Sequence, residues 1–270
     1  MDFLAKLALQ RMTSLYEMRE NNEAVDVHFI FDNDPSKRIS AHKLILAAES
    51  PVFKAMFYGP MKEKDEINMA DTTIESFVAF VKAIYQHFDA VNMENIYDVI
   101  CLADRYDEQN VMDFCEKFFG LNANANNVCR ILNEALRYRL TALESSCVSI
   151  MALHSKTILK SPSFLEMDFD TLEHIVKSQF VFCSAKDKLD ACFKWAHHSC
   201  VTNAIDLTPE NLRKQLDSAL LHIRFDQMSA VEFIKYEELY PMFSFDEYKN
   251  IMAKINKVPV KCKKQQRRLT

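Results

Sequence analysis

Apolar positions recur along this chain with two periods, and the change between them outlines its architecture. In residues 3–18, Leu4, Leu7, Ala8, Met12, Leu15 and Tyr16 fall near helical spacing, which predicts an amphipathic helix. The period then drops to two. Val25, Val27, Phe29 and Phe31 share one face, the pattern of a half-buried strand. Asp32-Asn33-Asp34-Pro35-Ser36 reads as a polar turn, and residues 39–42 as the paired strand. The run from Ser40 to Phe57 predicts an extended lead-in, an apolar helix, a sharp restart and a second helix. Ser50 suits the N-cap of the restart and Pro51 its first turn, where a missing N–H costs nothing. Val52, Phe53, Met56 and Phe57 form its apolar face, and Gly59-Pro60 stops it, glycine tolerating left-handed geometry.

Residues 66–69 predict a third short strand, and Thr72-Thr73-Ile74-Glu75 a capping box with Thr72 as cap. Helical periodicity follows through Ile74, Phe77, Val78, Val81, Ile84 and Tyr85, and again through Ile96, Val99, Ile100 and Ala103. A further helix is expected over 110–119, ending at Gly120, with an asparagine-rich join over 121–127. Beyond it no strand pattern occurs. Helices are expected over 128–138, 143–159, 169–177, 186–197, 209–222 and 245–255, with good starts at Thr208-Pro209 and Ser244-x-x-Glu247.

Composition narrows the chemistry. Of 270 residues 49% are hydrophobic, enough for one or two sizeable cores. The chain has two glycines, Gly59 and Gly120, so it holds no Rossmann G-x-G-x-x-G, no Walker loop and no G-x-S-x-G elbow. A net charge of −5 argues against a general nucleic-acid surface. The first ten residues lack the apolar core of a signal peptide, and no apolar run reaches the roughly 18 residues of a membrane span. The eight cysteines are scattered through helical patterns without a C-x-x-C, as expected for reduced, mostly buried thiols. A cytosolic or nuclear home follows from that reading.

The stretch Ser40-Ala41-His42-Lys43-Leu44 through Ser50, Phe53 and Met56-Phe57 resembles the core of the BTB (POZ) family. Asp26-Val27-His28-Phe29-Ile30-Phe31 and Glu66-Ile67-Asn68-Met69 extend the likeness on either side. Phe164-Leu165-Glu166-Met167, Phe193-Lys194-Trp195-Ala196 and Leu221-His222-Ile223-Arg224-Phe225 resemble the BACK domain that follows BTB in many adaptors. The resemblance implies an α+β BTB fold over 1–122, helical hairpins with a small sheet. An all-α BACK domain follows over 123–258, then a basic disordered tail over 259–270. The likeness is strongest to BTB-BACK proteins that carry a C-terminal PHR β-sandwich, a domain expected to be lacking here.

That resemblance also implies a function. Met61-Lys62-Glu63 is similar to the apolar-x-Glu motif with which BTB adaptors engage cullin-3; a methionine thioether fits imperfect pockets, and Glu63 adds a directional acceptor. Tyr58, Asp104 and Tyr106 lie in elements that flank the same surface in relatives. BTB relatives dimerise through the first helix, here Leu4, Leu7 and Leu15, and Met1-Asp2 is too short for the strand that some of them exchange. Asp26 and Lys43 match a charged pair near that dimer face, which lines a corepressor groove in some relatives and can equally be a structural ion pair. The expected protein is a non-catalytic adaptor with cullin-3, a second copy of itself and a protein substrate as partners, and with no cofactor. The rival reading is a BTB-dimer scaffold or transcriptional cofactor.

Other candidates carry less. Cys192, His197, His198 and Cys200 crowd one helix end but lack the short cysteine pair of structural zinc sites, so buried thiols beside surface histidines are expected. His42 reads as a satisfied core histidine. Nothing local marks any cysteine as an activated nucleophile. The Lys261-Cys262-Lys263-Lys264 tail reads as an import signal or a solvated end.

Overall fold

A computed structural model describes residues 3–60, 64–178 and 183–256. The chain divides into two compact units, one up to Leu121 and one from Asn122. The N-terminal unit opens with helix α1 (Phe3–Glu20), followed by β1 (Val27–Phe31), β2 (Asp34–Ala41), α2 (Lys43–Glu49) and α3 (Pro51–Tyr58). Next come β3 (Glu66–Met69), α4 (Ile74–Ile84), α5 (Ile96–Arg105) and α6 (Gln109–Asn122). The sheet has the order β2-β1-β3, with β1 antiparallel to β2 and parallel to β3. Val27, Phe29 and Phe31 are buried as the alternation predicts, but Ile30 is buried too, so β1 is covered on both faces.

The β1–β2 hairpin is tighter than the polar run suggests. Pairing extends to Phe31 opposite Asp34, leaving Asp32 and Asn33 as a two-residue turn with φ of 54° each. Asp and Asn tolerate this left-handed region, and such turns match the twist of the flanking strands. Pro35 therefore lies within β2, an edge strand where its missing donor is harmless. The cap of α4 is Thr73, whose hydroxyl accepts the Ser76 N–H at 3.2 Å, so the cap lies one residue beyond the expected Thr72 and the expected box with Glu75 does not form. Gly120 does not end α6; a Cβ there would meet nothing within 4 Å, and the helix continues to Asn122. Gly59 is extended (φ −72°) and not left-handed; a Cβ there would stand 2.3 Å from the Ala55 carbonyl oxygen, so close approach is what demands glycine.

The C-terminal unit is helical throughout its described residues: α7 (Val128–Arg137), α8 (Thr141–Ile158), α9 (Pro162–Leu165) and α10 (Phe169–Lys177). Then follow α11 (Ala185–Thr202), α12 (Pro209–Leu216), α13 (Ala230–Leu239) and α14 (Phe245–Ile255). The single helix expected over 209–222 is broken, because Asp217 takes φ 33° and the chain tightens into a 3-10 helix, Asp217–His222. His154 leaves helical geometry and kinks α8. The fold is thus mostly helical, α+β and then all-α, as the sequence implies.

Candidate interaction surface

Two corners of the N-terminal unit are clamped together. Ser50, between α2 and α3, accepts the Phe53 N–H at 3.0 Å and donates its own proton to the Tyr106 carbonyl at the end of α5. Phe53 stacks on the Tyr106 ring, centroids 4.2 Å apart. Glu49 accepts from Asn110 Nδ2 at 2.9 Å. Glu108 turns its carboxylate onto the Val111 N–H and so caps α6; burial pushes its pKa up. The ends of α3 and α5 are therefore held as one body.

From this body Tyr58 projects with 58% of its surface exposed, and Asp104 is exposed on α5. Tyr106 differs from the expectation. Its ring is only 5% exposed and packs among Phe53, Phe77 and Phe80, so it supports the surface from beneath. Met61 and Glu63 lie outside the described residues. Their shoulders are nonetheless tied by Lys43, whose ammonium pairs with Asp65 and sits 5.9 Å from the Phe57 ring centroid. The Asp65 carbonyl also accepts the His28 N–H at 2.8 Å.

Asp26 and Lys43 do not form the expected side-chain ion pair. Asp26 Oδ1 instead accepts the Lys43 backbone N–H at 2.7 Å, capping α2, because His42 at the N-cap makes no side-chain capping bond. Seventeen residues separate donor and acceptor, beyond the reach of any local capping pattern. His42 is a satisfied core histidine: its Nε2–H donates to the Glu23 carbonyl at 2.9 Å, and its Nδ1 accepts from the Tyr85 hydroxyl at 2.8 Å. The Tyr85 oxygen in turn accepts the His42 N–H at 3.1 Å. On α1, Leu7 is 37% exposed and Leu15 half-buried, while the Leu4 side chain lies outside the described set.

In the C-terminal unit, Cys192 and Cys200 are buried, with His197 exposed and His198 half-buried beside them. Among the described residues no group of three or more His, Cys, Asp or Glu could hold a metal ion. Burial pushes the thiols of Cys115, Cys129, Cys147 and Cys192 up to about 12, the opposite of activation. No helix among the described residues is long and apolar enough to cross a membrane.

Comparison with known proteins agrees with this fold. A family model described as "BTB/POZ domain" matches residues 15–123, and one described as "BTB And C-terminal Kelch" (BACK) matches 128–237. Neither description is that of an enzyme. The chain is 30% identical over 234 residues to BTB/POZ domain-containing protein 6 of Xenopus laevis, covering 86% of this chain and 44% of that protein. It is also 30% identical over 218 residues to BTB/POZ domain-containing protein 3 of Homo sapiens, covering 80% and 42%. The chain thus spans less than half the length of these relatives.

Proposed function

Because the chain belongs to the BTB/POZ family and carries a BACK domain behind that fold, we propose that it is a non-catalytic adaptor that docks cullin-3 and brings a protein substrate to the attached ubiquitin ligase. The observation that carries this reading is the clamp between α3 and α5, built on Ser50, Phe53 and Tyr106. It presents Tyr58 and Asp104 from one body, and Lys43 ties Phe57 to Asp65, described residues on either side of Met61-Lys62-Glu63 in the sequence. A preformed surface loses little entropy on docking. Met61 and Glu63 supply the apolar anchor and the acceptor, and proximity alone then accelerates transfer to a held substrate. Self-association runs through α1, with Leu4, Leu7 and Leu15 at the contact.

The rival scaffold or cofactor reading leans on Asp26, Lys43 and the basic tail; the first two are engaged within the unit, as a helix cap and as a tie to Asp65, and the tail lies outside the described residues. Size-exclusion chromatography of the purified chain with the cullin-3 N-terminal domain tests the proposal. Co-elution supports it; separate elution at tens of micromolar overturns it.

A further inference from the structure

The C-terminal unit contains a groove of about 160 Å³ between α12, the 3-10 helix after it and α14. Its floor is apolar: Leu220, Phe225 and Ile251 are buried there, with Phe243 half-buried. Leu221 lines it while 75% exposed, and Phe245, on the first turn of α14, is 78% exposed. An exposed apolar side chain such as Leu221, continuous with an apolar floor and rimmed by polar residues, marks an interaction site. The volume is below the roughly 300–1,000 Å³ of small-molecule sites and suits one or two bulky side chains.

The polar rim is one-sided. Its single carboxylate, Glu247, is saturated: it accepts from Arg213 at 2.8 Å, from the Ser244 N–H at 2.9 Å and from the Ser244 hydroxyl at 3.0 Å. The Arg213 guanidinium is spent on Glu247 and on the Asp217 carbonyl, which accepts its Nη1–H at 3.0 Å. Lys254 lines the groove and forms no salt bridge among the described residues; its neighbour Asp226 is already gripped by Arg224 at 2.8 and 2.9 Å. Asn250 completes an exposed rim of hydrogen-bond donors. With Arg213 and Glu247 paired to each other, Lys254 is the charge left over on the described rim, and it calls for an anion.

From that complementarity we infer that the groove binds a linear peptide segment of a partner protein, one that carries a bulky apolar side chain next to a carboxylate. The apolar side chain fills the floor against Leu220, Phe225 and Ile251, and the carboxylate meets Lys254 and Asn250. This gives the adaptor reading a substrate class and rests on it for biological meaning, although the binding itself does not involve cullin.

The test pans the full chain against a displayed library of random peptides, then measures the enriched peptide by fluorescence anisotropy. The enriched sequences are expected to pair Leu, Ile, Met or Phe with Asp or Glu. Leu221→Asp, at an exposed position, should weaken binding at least tenfold. Lys254→Glu should weaken it several-fold and shift preference to the same peptide with lysine in place of the acid. No enrichment, a basic consensus or indifference to both substitutions overturns the inference. So does a loss of dimer by sedimentation in Leu221→Asp with peptide binding intact, which would make a second copy the occupant. Cullin-3 binding measured on the same variants should stay unchanged, so failure at the groove and failure of the adaptor reading are separable.

Discussion

In the N-terminal unit the core is aromatic and drawn from distant parts of the chain. Phe29 of β1, Phe53 of α3, Phe77 and Phe80 of α4 and Tyr106 beyond α5 meet at centroid distances from 4.2 to 6.4 Å. The C-terminal unit is built from local instructions. Capping boxes at Ser184, Ser229 and Ser244 and single caps at Asp168 and Thr208 start α10 to α14, whereas α7, α8 and α9 begin without a side-chain cap. Its core mixes aliphatic side chains and the thiols of Cys129, Cys147 and Cys192 with rings drawn mostly from nearby positions, Phe225, Phe233 and Phe243 among them. The difference bears on function. Long-range aromatic packing fixes the shape of one surface, whereas short capped helices leave grooves at their junctions.

Thiol chemistry should show the largest contrast. With pKa values pushed from 9.0 to about 12, Cys115, Cys129, Cys147 and Cys192 hold about a thousandfold less thiolate at pH 8 than free cysteine. Exposed Cys101 should therefore be alkylated first of the described thiols, as read by peptide mass mapping. The same shift sets a pH trend. Above about pH 9 the unfolded thiols ionise and the folded ones do not, so the unfolded state binds fewer protons and stability must fall as pH rises. Denaturant midpoints at pH 8 and 10 check the sign.

Phe53→Ala removes the ring that joins the two corners and should cost about 3–5 kcal/mol, seen in denaturant unfolding. If the units are independent, the lone tryptophan should barely register it, since Trp195 lies in the C-terminal unit. Trp195→Phe should cost roughly 2 kcal/mol in that unit, because its Nε1–H donates to the Met167 carbonyl at 2.9 Å and leaves that acceptor buried and unpaired. Smallest of all, Ser244→Ala should cost about 1 kcal/mol by removing the cap of α14. A larger loss would mean that the local account of the C-terminal unit is incomplete.

What was legible in the sequence follows the same division. The bounds expected for α10 and α14 match those found, because Asp168 and Ser244 announce them with side chains three residues from their targets. The α13 helix was equally announced, by Ser229-x-x-Glu232, and is absent from the expected set because its apolar spacing is irregular. Backbone reversals at Asp32, Asn33 and Asp217 left no glycine to mark them. At the surface, Tyr58 and Asp104 stand exposed, but the inward turn of Tyr106 and the capping role of Asp26 depend on partners 17 to 56 residues away. No local pattern encodes those.

The central claim is that the Met61-Lys62-Glu63 segment anchors cullin-3, and titration calorimetry with the cullin-3 N-terminal domain tests it most directly. Met61→Ala combined with Glu63→Ala should cost about 2 kcal/mol or more of affinity, as truncated hot spots do, while the unfolding midpoint stays in place. Equal affinity for the native and doubly substituted chains would contradict the account.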